Sequence, residues 1–287
     1  MPKSDSPRFS RKTSSTPRAA APGSASKKTM PLSGEEQDNG EAIRLNKALA
    51  AAGICSRRAA DALIERGAVS INGERVESPG VRVFPGKDVV AVNGVPVNLH
   101  SAEEGFQYIM LNKPARVVTT AKDPQGRTTV LDLLPESMRS ARLFPVGRLD
   151  FFSEGLLLLT DDGELTYRLT HPKWHLPKVY RLRIRGKVDE AALRTMRSGM
   201  TLEEGEHLAP VEVRVVREEQ GTTTLEMTLI QGVNRQIRRM CRDLNITVLT
   251  LRRLHIGPVS LTGLERGKAR VLTSEETLAL RQAVGLA

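Results

Sequence analysis

The chain has 287 residues, 39% of them hydrophobic, with 43 Lys and Arg against 33 Asp and Glu and a formal net charge of +10. That length supplies core for one large domain or two unequal ones, and the excess of cations calls for a polyanionic partner, nucleic acid first. Its apolar runs, such as Leu156–Leu159, are strand-sized and far from the ~20 residues of a membrane-spanning helix, so no membrane partner is expected. Cys55 and Cys241 form no CxxC, which argues against a disulfide framework or a zinc site and fits a reducing, cytoplasmic compartment.

Residues 1–42 read as a disordered basic tail. Met1–Met30 carries seven Lys and Arg against Asp5 alone and has few large apolar residues. Such a segment cannot bury enough surface to offset its ordering entropy. It lacks the apolar stretch of a secretory leader and the amphipathic period of a transit peptide. An arm that adds affinity for RNA is the expectation.

Over 43–99, Leu45, Ala48, Leu49 and Ala52 follow helical spacing up to Gly53, a left-handed stop. Ser56 is placed to cap a second helix with Ala60, Leu63 and Ile64 inward and Gly67 at its end. Val69 and Ile71 then alternate with polar residues, and Asn72-Gly73 is a hairpin signal. Arg44, Lys47, Arg57, Arg58 and Arg66 decorate the helical pair. A solvated basic face would also account for them, but their clustering favours contact with RNA.

Residues 100–105 read as a polar linker, 106–275 as a second domain and 276–287 as a C-terminal tail. The second domain opens with a strand through Tyr108–Leu111, broken at Lys113-Pro114, and a turn-rich loop, "AKDPQGRTTVLDLLPE". "GRLDFFSEGLLLLTDDG" leads from a turn into a buried strand over Gly155–Thr160. Asp161 or Asp162 then caps a helix carrying Leu165 and Leu169. "KVYRLRIRGKV" places Tyr180, Leu182 and Ile184 on one strand face and Arg181, Arg183 and Arg185 on the other. "PVEVRVV" and "TTTLEMTLI" read as a strand pair. Strands outnumber helices, so the class is α+β: a small helix-pair and hairpin module, then a larger mixed, mainly antiparallel sheet.

In "QGVNRQIRRMCRDLNI", Ile237, Met240, Cys241 and Leu244 recur at helical spacing, and Arg235, Arg238, Arg239 and Arg242 centre on the opposite side. A solvated face would interleave acids, and Asp243 is the only one in the segment. RNA or an acid elsewhere in the chain is the expected target of these arginines. No GxGxxG, GxxxxGK[ST] or GxSxG occurs. His171 and His175 sit among prolines without a third metal ligand and read as surface or packing residues. Asp150 and Glu154 are the one pair that a glycosidase could use, and nothing else points to sugar.

Two resemblances follow from motifs quoted in order. "RLNKALAAAG", "SRRAADALIERG" and "VSINGERV" resemble the S4 RNA-binding module. "LNKPARVVTT", "VGRLDFFSEGLLLLTDDGEL", "KVYRLRIRG", "QGVNRQIRRM" and "LRRLHIGPVSLTGLERGKARVLT" resemble the bacterial ribosomal pseudouridine synthases, nearest the B-type enzymes that act on the large subunit. Arg116, where glycine is common, Ser153 for threonine, and Gln231 and Val233 for glutamate and arginine are departures from that pattern.

The resemblance implies isomerisation of a ribosomal uridine with no metal and no cofactor. It implies Asp150 as the nucleophile, Arg238 as its ionic partner and Tyr180 as the residue stacked on uracil. Arg148 would be the wedge that replaces the flipped base. Lys113, Arg127, Arg235 and Arg239, with the basic residues of the first module, would contact RNA. Ribosomal RNA, large-subunit, is the expected partner and a monomer the expected state. The large-subunit choice rests on "DPQGRTTVLDLLP", where Gly126 permits a tight turn and Arg127 is expected to stay free for RNA. A small-subunit enzyme and a non-catalytic S4-type assembly factor are the alternatives, the latter disfavoured because Asp150, Tyr180 and Arg238 are all present.

Overall fold

The computed structural model describes residues 41–99, 105–139 and 142–286. Most of the expected tail over 1–42 and of the linker over 100–105 therefore lies outside the described residues.

The first module is built as its pattern predicts. Helix α1 (Leu45–Ala51) buries Leu45, Ala48 and Leu49 and ends before Gly53, whose φ is +74°. Helix α2 (Arg57–Glu65) starts at Ser56, whose hydroxyl accepts the Ala59 N–H at 3.2 Å. Four short strands follow, β1 (Val69–Ile71), β2 (Glu74–Val76), β3 (Val90–Val92) and β4 (Val95–Val97), in the antiparallel order β2-β1-β3-β4. Asn72 and Gly73 both take positive φ, as a two-residue hairpin turn requires. Leu45, Leu49, Ile64, Val69 and Val90 share one small core.

The second module centres on β5 (Tyr108–Lys113), β6 (Glu154–Thr160), β7 (Lys178–Arg185), β8 (Glu212–Glu219), β9 (Thr222–Leu229), β10 (Val248–Ile256) and β11 (Ala269–Val271). They run in the order β8-β9-β7-β10-β6-β5-β11. Every neighbouring pair in that order is antiparallel except β6 and β10, so the sheet is mixed and mainly antiparallel, as expected.

The unbroken leucines of β6 have a plain cause. Leu156 and Leu158 pack against α3 (Gly163–Thr170), while Leu157 and Leu159 pack on the other face with Ile109, Leu111 and Leu149. A strand buried on both faces has no use for polar alternation. Asp162 caps α3, accepting the Glu164 and Leu165 N–H groups at 3.0 and 2.9 Å. Helices α4 (Glu190–Ser198) and α5 (Gln236–Asp243) share a core with Leu182, Ile184, Leu225 and Met227.

Residues 276–286, expected as part of a tail, are structural. Helix α6 (Ser274–Gln282) begins with a capping box between Thr273 and Glu276. It buries Leu280, and Val284 follows into the same core as Leu165 and Leu169. Arg168 donates to the Val284 and Gly285 carbonyls at 3.0 and 2.6 Å. A short amphipathic helix with few large apolar residues carries a weak periodic signal, and several of the contacts that hold this end of the chain come from more than 100 residues away.

Candidate active site

Asp150 sits on a loop that enters β6, and that loop is pinned carbonyl by carbonyl. Thr119 Oγ1 donates to Leu149 O at 2.7 Å, and Ser153 N donates to Asp150 O at 3.0 Å. Arg116 N donates to Phe151 O at 2.6 Å, and Arg238 Nη2 donates to Phe152 O at 3.1 Å. Lys113 Nζ donates to Pro114 O, Asp150 O and Ser153 O at 3.1, 3.1 and 2.9 Å. The backbone is thereby fixed while the Asp150 carboxylate stays partly open, at 31% side-chain exposure. Arg116 holds its contact at φ +65°, the left-handed region that glycine enters most easily.

Across from the loop, α5 delivers Arg238. Its Nε lies 3.7 Å from Asp150 Oδ2. Burial pulls the guanidinium below its ordinary value, and the Asp150 charge opposes that pull. Arg148, Asp150, Tyr180, Arg235 and Arg238 line one pocket, so five of the residues expected at the site are brought together from separate segments. Among the described residues, Asp150 is the only carboxylate lining it, against the cations Arg148, Lys178, Arg235, Arg238 and Arg253. Such a cavity favours an anionic ligand and holds one carboxylate placed as nucleophile or electrostatic partner.

Other expected contacts are placed elsewhere. Lys113 is fully buried, so it reaches the loop rather than RNA. Its ammonium is pulled down to about 8 by burial, against the opposing charges of Glu154 and Asp150. Arg127 is not free: its Nη2 and Nε donate to Asp123 at 2.8 and 3.0 Å, and these bonds with the Arg127 N–H hold Asp123 down at about 2. Gly126 does form the expected tight turn, at φ +68°.

The arginine face of α5 is divided. Arg239 pairs with Glu206 at 2.6 Å and Glu204 at 3.1 Å, and Arg242 pairs with Glu204 at 2.7 Å. These acids lie more than 30 residues upstream, which is why the local sequence showed only Asp243. Arg235 caps the helix at φ +52° and turns into the pocket. On the first module Arg44, Lys47, Arg57 and Arg58 are all exposed, and Lys47 lies 3.7 Å from Glu164.

The pocket also holds residues that sequence pattern alone did not single out. His171 and His175 are exposed, as expected, but both line its wall. Lys178 lies two residues before Tyr180 on β7, and Arg253 is the cross-strand partner of Tyr180 on β10. The period-two alternation that placed Tyr180, Leu182 and Ile184 together extends back to Lys178, so that signal was present.

Residues 107–243 match the family model described as RNA pseudouridylate synthase, and residues 43–89 match the S4 domain. The fold and pocket thus fall in a class of RNA-modifying enzymes that carry an RNA-binding module ahead of the catalytic sheet. The chain is 43% identical over 245 residues to an uncharacterized RNA pseudouridine synthase of Aquifex aeolicus, covering 85% of this chain and 96% of that protein. It is 38% identical over 240 residues to the ribosomal large subunit pseudouridine synthase B of Bacillus subtilis, covering 83% and 95%. A crystal structure of a pseudouridylate synthase superposes with a TM-score of 0.60 at 32% identity, covering 83% of this chain and 99% of that one. The chain belongs to the RNA pseudouridine synthases.

Proposed function

We propose that this enzyme converts one uridine of large-subunit ribosomal RNA to pseudouridine, with Asp150 as the nucleophile. The observation that carries the reading is the Asp150 carboxylate, single in the pocket among the described residues, 3.7 Å from Arg238 and sharing the cavity with Tyr180. Isomerisation breaks N1–C1′ and forms C5–C1′ with no atom gained or lost, so one carboxylate that adds to or stabilises an electrophilic carbon is enough. The Arg238 guanidinium faces it as the opposite charge. Tyr180 offers a ring for the flipped uracil. Arg148, exposed at the pocket edge with no ion pair among the described residues, is suited to fill the gap in the RNA stack. Arg235 meets the backbone of the flipped nucleotide.

Residues 43–99 grip folded RNA through the exposed cations of α1 and α2, and residues 106–275 with α6 do the chemistry. The large-subunit choice leans on the Bacillus subtilis relative's name and on the "DPQGRTTVLDLLP" turn; it does not lean on Arg127, which is bound to Asp123. The protein acts as a cytoplasmic monomer in this reading. None of the described helices is long and apolar enough to cross a membrane.

The test offers purified protein separate unmodified large- and small-subunit RNA and maps pseudouridine in each. Product in the large-subunit RNA, absent with Asp150→Asn at unchanged RNA affinity, supports the proposal. Product only in the small-subunit RNA removes the substrate assignment. An active Asp150→Asn removes the nucleophile.

A further inference from the structure

Two cations in the pocket wall have no acid to answer them among the described residues. Arg253 is 4% exposed. Its Nε donates to Leu156 O at 2.8 Å, while its Nη2 is buried without a partner. Lys178 Nζ donates to Leu176 O at 2.9 Å and makes no ion pair among the described residues. Burial, then the nearby Arg253 charge, pulls Lys178 down to about 8. A fold does not ordinarily hold two such cations side by side unless something negative compensates them. Among the described residues Asp150 is the one carboxylate of the pocket, and its ion pair is with Arg238.

The backbone sets both beside Tyr180. Lys178 and Tyr180 are i and i+2 on β7, and Arg253 stands opposite Tyr180 on β10, so all three share a sheet face. A register shift between Val179 and Tyr180 re-aims the strand at that point. Farther along, the same face is filled by Leu182, Leu251 and Leu225, all buried. The change from a leucine-lined to a cation-lined face occurs where the pocket opens.

We infer that Lys178 and Arg253 form a seat for an anionic oxygen of the target nucleotide, carried either by the uracil ring or by an adjacent phosphate. This rests on the isomerisation reading given above. When N1–C1′ breaks, its electron pair stays with the base, which becomes a uracil monoanion with charge on N1, O2 and O4. C1′ meanwhile bonds to an Asp150 oxygen, or C2′ gives up a proton and a C1′=C2′ double bond forms. The base then gives an electron pair from C5 to C1′ as the C1′–O bond to Asp150 breaks or the glycal regains its C2′ proton, and the C5 proton is lost while N1 gains one, giving the neutral ring of pseudouridine. Charge on O2 or O4 exists only between those events, and preorganised cations are most effective against charge that develops in a closed site. A phosphate would be charged throughout and would report in binding instead.

The experiment compares wild type, Lys178→Met and Lys178→Arg on a ribosomal RNA fragment containing the mapped target, in single turnover and in equilibrium binding. Lys178→Met is expected to lose about 100-fold in rate, in the range of a lost transition-state donor, with its melting temperature preserved, and Lys178→Arg to recover most of the loss. The source of the oxygen comes from substituted RNA. If 2-thiouridine or 4-thiouridine at the target slows wild type but not Lys178→Met further, the uracil oxygen is seated. If a methylphosphonate beside the target weakens wild type but not Lys178→Met, the phosphate is. Lys178→Met with wild-type rate and affinity overturns the seat, and so does a slow variant whose losses add independently at every substituted position. Failure of the isomerisation reading shows differently, as wild-type protein that forms no pseudouridine at all.

Discussion

Replacing Lys113 by Met tests whether the buried ammonium serves the catalytic loop. The change keeps the aliphatic stem and removes three hydrogen bonds, to Pro114 O, Asp150 O and Ser153 O. Asp150 O retains the Ser153 N–H, so the other two carbonyls are the ones left without their donor. A buried polar group left unsatisfied costs about 1–3 kcal/mol, or roughly 2–6 kcal/mol for the two. Against that stands the penalty of burying the charge. Holding the ammonium at about 8 rather than at its ordinary 10.5 corresponds to about 3 kcal/mol that Met no longer incurs. The two effects offset one another, leaving a net change between about 1 kcal/mol of stabilisation and about 3 kcal/mol of destabilisation. At about 2–4 °C per kcal/mol in a chain of this size, the melting temperature falls by no more than roughly 10 °C.

Activity has no such compensation. Lys113 ties the start of the loop, Asp150, to its end, Ser153, and a displacement of ~1 Å at a reacting group costs on the order of 100-fold. The expected outcome is a folded variant, with RNA affinity near wild type, that forms pseudouridine about 100-fold more slowly in single turnover. A variant that melts several degrees lower but keeps a rate within about threefold of wild type would refute the reasoning, because the ammonium would then support only the fold.

Gly155→Ala should yield little folded protein: the added Cβ would lie 2.2 Å from Arg253 O at φ +102°, a cost of more than ~4 kcal/mol, and a melting temperature within about 2 °C of wild type would refute it. Arg239→Ala removes exposed ion pairs with two glutamates and should lower the melting temperature only slightly, yet leave the salt dependence of RNA binding unchanged, whereas Arg148→Ala should make that slope shallower by about one; equal slopes for the two variants would contradict this division. Stability should rise with pH from about 8 to about 10. Lys113 and Lys178 are held at about 8 in the folded chain, so the unfolded chain binds more protons in that window and folding gains as pH increases. Above it Cys241 and Tyr108, both pushed up to about 12 mainly by burial, reverse the sign, since the folded chain then keeps protons that the unfolded one releases. Thermal unfolding across pH 7–10 measures the profile, and Lys113→Met should flatten its rising limb.

What the sequence disclosed, and what it withheld, divides along one physical line. Features decided within a few residues were legible: the Ser56 and Asp162 caps, the Asn72-Gly73 turn, the face of β7 that carries Tyr180, and the stop at Gly53. The fate of each cation was not, because a cation takes its role from whatever lies opposite it in space. Arg127, Arg238 and Arg239 look alike in sequence. One closes a four-residue turn onto Asp123, one meets a carboxylate 88 residues upstream, and one meets a glutamate pair across the domain. Lys113 differs again, since only the sheet reveals that β5 ends underneath the loop that β6 begins. Lys178 shows the limit from the other side: its alternation with Tyr180 was readable, but the lack of an acid paired with it among the described residues was not. A strand pattern can say which way a charge points, and only the fold can say whether that charge is already answered. The cations without an ion pair among the described residues, Arg148 and Arg235 at the rim and Lys178 with Arg253 in the wall, are therefore where an anionic substrate has the most to gain, and the paired ones, Arg127 and Arg239, where it has the least.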